Sequence, residues 1–148
     1  NITKKQIENG IKKTEWEGRM QFISENVLVD AAHNPDCFET LKKELLILKR
    51  QKNIKNFIFV IGIQKDKDIK NMLKIINMLI SKVIFTKSRN EKASNPQDLL
   101  RIFEKINKKT HAQIMVNPKM ALNQARKIAG EKDLIVVTGS IYLVGEII

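Results

Sequence analysis

The 148-residue sequence predicts an α/β fold: a mostly parallel six-stranded sheet with one antiparallel strand and helices on both faces. Three observations carry this. Val27–Val29, Phe57–Ile61 and Leu134–Thr138 are almost unbroken apolar runs, the pattern of strands covered on both faces. Segments with helical spacing of apolar residues alternate with such runs, the order that builds parallel sheets. Finally, Pro35, Pro96 and Pro118 each follow an asparagine. Asparagine caps a helix well and proline suits the first helical position, so all three pairs mark helix starts.

Taken in order, residues 3–13 predict a helix with Ile7 and Ile11 one turn apart. The Trp16-Glu17-Gly18-Arg19 segment breaks that pattern. Met20–Ser24 and Val27–Val29 read as a hairpin around Glu25-Asn26. After Pro35, a helix places Phe38, Leu41, Leu45 and Leu48 on one stripe and ends near Lys52-Asn53. Phe57–Ile61 is a central strand followed by a loop, 62–68. Asp68 is placed to cap a helix with Ile69, Met72, Leu73, Ile76, Leu79 and Ile80 at helical spacing. Val83–Thr86 is a short strand and Lys87–Ser94 a polar loop. A helix from Pro96 turns Leu99, Leu100, Phe103 and Ile106 inward. Gln113–Val116 is a strand. A helix from Pro118 buries Ala121, Leu122, Ala125 and Ile128, with Gly130 at its C′ position. Leu134–Thr138 is the last strand, and Gly139-Ser140 leads into a final helical segment, 141–148.

Composition excludes several classes. A hydrophobic fraction of 43% supports a packed core and argues against disorder. One cysteine, Cys37, permits no disulfide framework and suits a reducing, cytoplasmic setting. Its place in a first helical turn could activate the thiol, but packing is the plainer reading. No apolar run reaches the ~18 residues of a membrane span, and the amino end does not read as a signal peptide. The net charge of +11 suggests nucleic acid at first sight. The basic residues, however, are 22 lysines and only 5 arginines, spread along the whole chain. Ile and Asn are abundant too, and all three residue types share AT-rich codons. Genome composition accounts for the charge, so no nucleic-acid or membrane partner is expected. A basic surface would still attract anionic small molecules.

In a parallel sheet all strand carboxyl ends share one edge, where ligands bind in open α/β folds. Asp30, Asp66, Thr86 and Ser140 each follow a strand and should meet there, joined by Asn34 and Asn117. Turn and cap chemistry is the plainer explanation for each residue alone. The sequence has neither G-x-x-x-x-G-K-[ST] nor G-x-G-x-x-G, so the phosphate cradle of a nucleotide site is missing. With His33 and His111 far apart and one Cys, no metal site is predicted. The residues alone describe an α/β module with a ligand edge and no phosphate cradle, which is half of a site.

Four ordered motifs carry a resemblance: Trp16-x-Gly18-Arg19; Asp30-Ala31-Ala32-His33-Asn34-Pro35; Asp66-Lys67-Asp68; and Thr138-Gly139-Ser140-Ile141-Tyr142-Leu143-Val144-Gly145-Glu146. The chain resembles the carboxy-terminal domain of bacterial folylpolyglutamate synthases, often also dihydrofolate synthases, of the Mur ligase superfamily. The His-Asn-Pro motif is shared across that superfamily; the other three point to its folate branch. The resemblance implies a Rossmann-like sheet. It implies ATP-dependent addition of glutamate to the γ-carboxyl of a folate through an acyl phosphate, released as phosphate when the glutamate amine attacks. It further implies ATP and Mg2+ as cofactors, both held mainly by a larger amino-terminal ATPase domain of the same polypeptide. Residues 1–15 would form the junction to it, and 16–148 the domain that closes over the nucleotide. Folate and L-glutamate are the implied small-molecule partners, and a monomer is expected.

By the same resemblance, Arg19 reaches ATP phosphate oxygens, a task suited to a guanidinium fork. Asp30 holds the ribose hydroxyls, with a partly exposed carboxylate. His33 lies near the phosphates as a second catalytic group beside Arg19, with Asn34 in the ATP site. Ser140 lies near the incoming glutamate. Asp66-Lys67-Asp68 is explained by helix capping. The plainer reading of Arg19 is a surface pair with Glu17 or Glu25. Two other functions compete. A peptidoglycan amino-acid ligase would need its own amino-acid motif in the later loops, and Trp16 argues against it. A free-standing nucleotide- or anion-binding module would have to bind ATP tightly alone.

Overall fold

The computed structural model describes residues 2–13 and 16–148, with side chains from 2–10 and 16–148. Strands β1 (Gln21–Ser24), β2 (Val27–Asp30), β3 (Phe57–Ile61), β4 (Ile80–Phe85), β5 (His111–Ile114) and β6 (Leu134–Thr138) form one sheet in the order β1-β2-β6-β3-β4-β5. Only β1 is antiparallel, paired with β2 across the Glu25-Asn26 turn. The predicted count of five parallel strands and one antiparallel strand is therefore observed.

Strand pleating explains why unbroken apolar runs are needed. Leu28, Phe57, Phe59, Ile61, Phe85 and Val136 face one core, closed by α2 (Pro35–Gln51), α3 (Ile69–Ile76) and α4 (Pro96–Ile106). Val27, Val29, Ile58, Val60, Ile84, Ile135 and Val137 face the other, closed by α5 (Pro118–Ile128) and α6 (Ile141–Ile147). Alternate residues of one strand thus belong to different cores.

All three Asn-Pro pairs start helices. Asn34 Oδ1 accepts from Cys37 N–H at 2.8 Å, Asn95 Oδ1 from Gln97 N–H at 3.0 Å, and Asn117 Oδ1 from Met120 N–H at 3.1 Å. Asp68 caps α3 as expected, accepting from Asn71 N–H at 3.1 Å. Helix α1 spans Lys4–Lys13. Its Ile7 is largely exposed, and the side chain of Ile11 lies outside the described residues.

Three boundaries differ from the sequence reading. Helix α3 stops at Ile76; a 3-10 turn, Asn77–Leu79, follows, and Ile80 already belongs to β4, opposite Phe57. Helical spacing at Leu79 and Ile80 was coincidental, because Ile80 is equally buried from a strand. Strand β5 begins two residues early, at His111, where its pairing with Lys82 starts. Gly130 follows the C-cap Ala129 but does not take the left-handed conformation; its N–H donates instead to Asp133 Oδ2 at 2.9 Å.

Candidate functional site

The carboxyl ends of β2, β6 and β3 lie in register, with Asp30, Thr138 and Ile61 side by side. The chain leaves β2 toward α2 on one face and leaves β6 toward α6 on the other. Such divergence opens a crevice between adjacent parallel strands. The backbone there is unusually close. Gly139 has φ +110°, and a Cβ on it would stand 2.7 Å from the Gly62 carbonyl oxygen. A Cβ on Gly62 would stand 3.0 Å from the Thr86 carbonyl oxygen. Glycine is required at Gly139, and at Gly62 a side chain would press on the backbone of the neighbouring strand end.

Asp30 ends β2 and is 8% exposed, more buried than a ligand-facing carboxylate was expected to be. Its Oδ1 accepts from Ala32 N–H at 2.9 Å and its Oδ2 from Met20 N–H at 3.0 Å. Each oxygen retains a second lone pair. Arg19 lies on the turn before β1, exposed, and its side chain makes no hydrogen bond or ion pair among the described residues. The pairs with Glu17 or Glu25 do not form. Arg19 and Asp30 line a common cleft of about 280 Å³ with Asp36, Cys37 and Glu44. Cys37 also packs against the larger core, as a structural thiol would.

His33 is half-buried, and its Nδ1 is 2.9 Å from the Ala31 carbonyl oxygen. A carbonyl only accepts, so Nδ1 carries the proton and Nε2 remains available. Asn34 caps α2 through its oxygen, which leaves its amide NH2 available. Ser140 is buried, and its hydroxyl caps α6 by accepting from Tyr142 N–H at 3.1 Å. Asp66 lies on the exposed loop after β3, where Lys67 stands 3.2 Å away and holds its carboxyl below the ordinary range. The structure thus brings Arg19, Asp30, His33 and Asn34 to one edge. Ser140 begins the segment that leaves the neighbouring strand β6, and Asp66 stands out in solvent.

Sequence reasoning did not single out Ser88, Ser94, Lys87, Arg89 or Lys119 at this edge, nor that the Thr138 hydroxyl is unpartnered. The hydroxyls of Ser88, Ser94 and Thr138 are buried with no hydrogen-bond partner in the protein. Between the ends of β4 and β5 lies a second cleft, about 520 Å³, lined by Lys87, Ser88, Arg89, Asn117, Lys119 and Glu146. Glu146 is anchored there by the Arg89 N–H, at 2.6 Å from its Oε1. The sequence had placed Asn117 at this edge and carried Glu146 in its last motif; the 87–94 loop was marked only by its position after a strand.

Among the described residues, no group of three or more His, Cys, Asp or Glu is placed to hold a metal. No helix among them is long and apolar enough to cross a membrane. The described residues thus form a mostly parallel α/β sheet with a polar crevice at its carboxyl edge, and the guanidinium of Arg19 stands unpaired beside it. A family model described as the C-terminal domain of dihydrofolate synthetase matches residues 18–148, and the chain belongs to that family. It is 25% identical to the dihydrofolate synthase/folylpolyglutamate synthase of Bacillus subtilis, over 99% of this chain and 33% of that protein. It is also 30% identical, over 82% of its length and 26% of the relative's, to a UDP-N-acetylmuramoyl-L-alanyl-D-glutamate–2,6-diaminopimelate ligase of Alkaliphilus oremlandii. The fold matches E. coli FolC in complex with DHPP and ADP, with TM-score 0.87 and 23% identity over 99% of this chain and 34% of that one. The chain spans about a third of the length of the folate-branch relatives.

Proposed function

We propose that this chain is the carboxy-terminal part of an ATP-dependent ligase that joins L-glutamate to the γ-carboxyl of a folate. Residues 16–148 form the domain, and 1–15 form the junction to an amino-terminal ATPase domain. That domain would supply the phosphate cradle and the Mg2+ ligands, since the described residues provide neither. ATP supplies the phosphoryl group that makes the folate carboxylate a good acyl donor. The protein would act as a cytoplasmic monomer.

The observation that carries this reading is the exposed, unpaired guanidinium of Arg19 at the crevice edge of a domain of this family. An arginine rooted there contacts phosphate oxygens once the other domain closes over it. The Asp30 carboxylate accepts from a ribose hydroxyl through a remaining lone pair. His33, its Nδ1 proton fixed by Ala31, presents Nε2 toward transferred charge. The Asn34 NH2 group donates to the nucleotide. Ser140 holds the backbone of the 139–141 segment in place beside the incoming glutamate. Trp16, Ile141 and Tyr142, all substantially exposed, supply apolar surface for closure.

Steady-state kinetics on the full-length protein test this. ATP-dependent glutamylation is expected in the wild type. Arg19→Ala and Arg19→Lys should both lose turnover, because the lysine keeps the charge and loses the planar fork. Wild-type turnover in both variants would refute the role of Arg19.

A further inference from the structure

We propose that Asp30 is a positioning residue that acts through Arg19: its carboxylate fastens the turn from which the guanidinium projects. The inference rests on the phosphate-contacting role proposed above for Arg19. The backbone of Arg19 is held on both sides. Before it, the Gly18 carbonyl oxygen accepts from Ala31 N–H at 2.7 Å. After it, Met20 N–H donates to Asp30 Oδ2 at 3.0 Å. The other carboxylate oxygen accepts from Ala32 N–H and so fixes the carboxylate itself. The turn between Trp16 and Met20 is thereby tied to the last residue of β2 and the two that follow.

The turn has two local bonds, from Arg19 N–H to the Trp16 carbonyl oxygen at 3.2 Å and from Gly18 N–H to Gln21 Oε1 at 2.7 Å, but its backbone conformation is strained. Gly18 has φ +73° and Met20 has φ +42°. The left-handed region is unfavourable for an unbranched residue such as methionine, and it persists only where surrounding contacts impose it. The Asp30 bond is made to the Met20 N–H itself. Gly18 is confined as well, because a Cβ on it would come within 3.0 Å of Val144 Cγ1 on α6. The side chain of Arg19, by contrast, is exposed and has no partner among the described residues. A rigid root and a free head are what aiming a long side chain at an external group requires.

A carboxylate is needed for this task. Two N–H donors, from Met20 and Ala32, require two acceptor oxygens. An asparagine offers one oxygen and turns its NH2 group toward the second donor. Asp30→Asn therefore keeps the volume and one hydrogen bond, and releases the other.

The test is a double-mutant cycle of Asp30→Asn and Arg19→Ala in the full-length protein, read by turnover, with amide exchange measured at Met20 and Ala32. Asp30→Asn is expected to lower turnover by roughly tenfold or more, because a ~1 Å misplacement can cost ~10²-fold. In the Arg19→Ala background the same change should cost several-fold less, because only the ribose contact is then left to lose; that non-additivity is the signature of Asp30 acting through Arg19. The Met20 or the Ala32 amide, whichever loses its acceptor, should exchange faster in Asp30→Asn. Equal losses in the two backgrounds would overturn the inference and leave Asp30 with its ribose contact alone. Unchanged protection of both amides would overturn the clamp. Wild-type turnover in Arg19→Ala would remove the role through which Asp30 acts. Absence of ATP-dependent ligation in the wild type would overturn the proposed function itself.

Discussion

Removing the Asp30 carboxylate leaves the N–H groups of Met20 and Ala32 without acceptors beside a residue that is 8% exposed. An abandoned buried donor costs about 1–3 kcal/mol, and the part-buried Met20 N–H falls at about 1 kcal/mol, so Asp30→Ala is expected to destabilise the domain by about 2–4 kcal/mol. Thermal denaturation checks this, with a melting temperature roughly 2–4 °C lower per kcal/mol for a chain of this size. Asp66 makes the contrast. Its carboxyl is held below the ordinary range chiefly by its hydrogen bond to Lys67, with desolvation opposing. A carboxyl with a lowered folded-state pKa adds stability above its unfolded pKa and loses it as pH falls through the folded value. Asp66→Asn should therefore produce a slight loss at neutral pH, which vanishes in acid below the carboxylate range and in high salt. Urea midpoints measured across that range decide it; a difference that grows in acid would contradict the assignment.

Between elements, the tightest constraint is the meeting of β3 and β6. Gly139 follows β6 with φ +110°, and the space for a Cβ is already occupied by the Gly62 carbonyl oxygen at 2.7 Å and Ile63 Cγ1 at 2.9 Å. Gly139→Ala combines an unfavourable φ with a backbone clash, each costing about 1–3 kcal/mol. A loss of about 3 kcal/mol or more in chemical denaturation is expected. Gly145 is the internal comparison, since nothing lies within 4 Å of a Cβ built there. Gly145→Ala should leave stability nearly unchanged or raise it slightly, because it sits inside a helix. The Asn-Pro helix starts work differently: each satisfies an otherwise orphaned N–H locally, and none depends on another.

At the scale of the molecule, the chain packs two apolar cores on opposite faces of one sheet, and it is expected to fold without its relatives' remaining two thirds. A single cooperative unfolding transition is expected for the purified chain. The same chain should show no ATP hydrolysis and no glutamate ligation, since its sequence carries no phosphate-cradling loop. A coupled assay for ADP release checks this, and measurable ligation by the chain alone would overturn the half-site reading.

Strand, helix and cap positions were legible in the sequence wherever one short-range rule acted alone. Phe57–Ile61 and Leu134–Thr138 read as doubly covered strands and the Asn-Pro pairs as helix starts, and each is so in the structure. The rule failed at Leu79 and Ile80, where helical spacing and a strand start coincide and pairing with Phe57 decided the outcome. The convergence of Arg19, Asp30, His33 and Asn34 on one edge was likewise foreseeable from strand ends and motifs. The clamp on Met20 was not, because it joins residues ten apart through a backbone N–H that no side-chain pattern reports. The unpartnered hydroxyls of Ser88, Ser94 and Thr138 were equally hidden. Sequence determined the elements and the residue types at the edge, because propensity, capping and burial pattern are local or periodic. Only the tertiary structure decided which donor each carboxylate meets and that Arg19 is left free, because those outcomes depend on distances between separate segments.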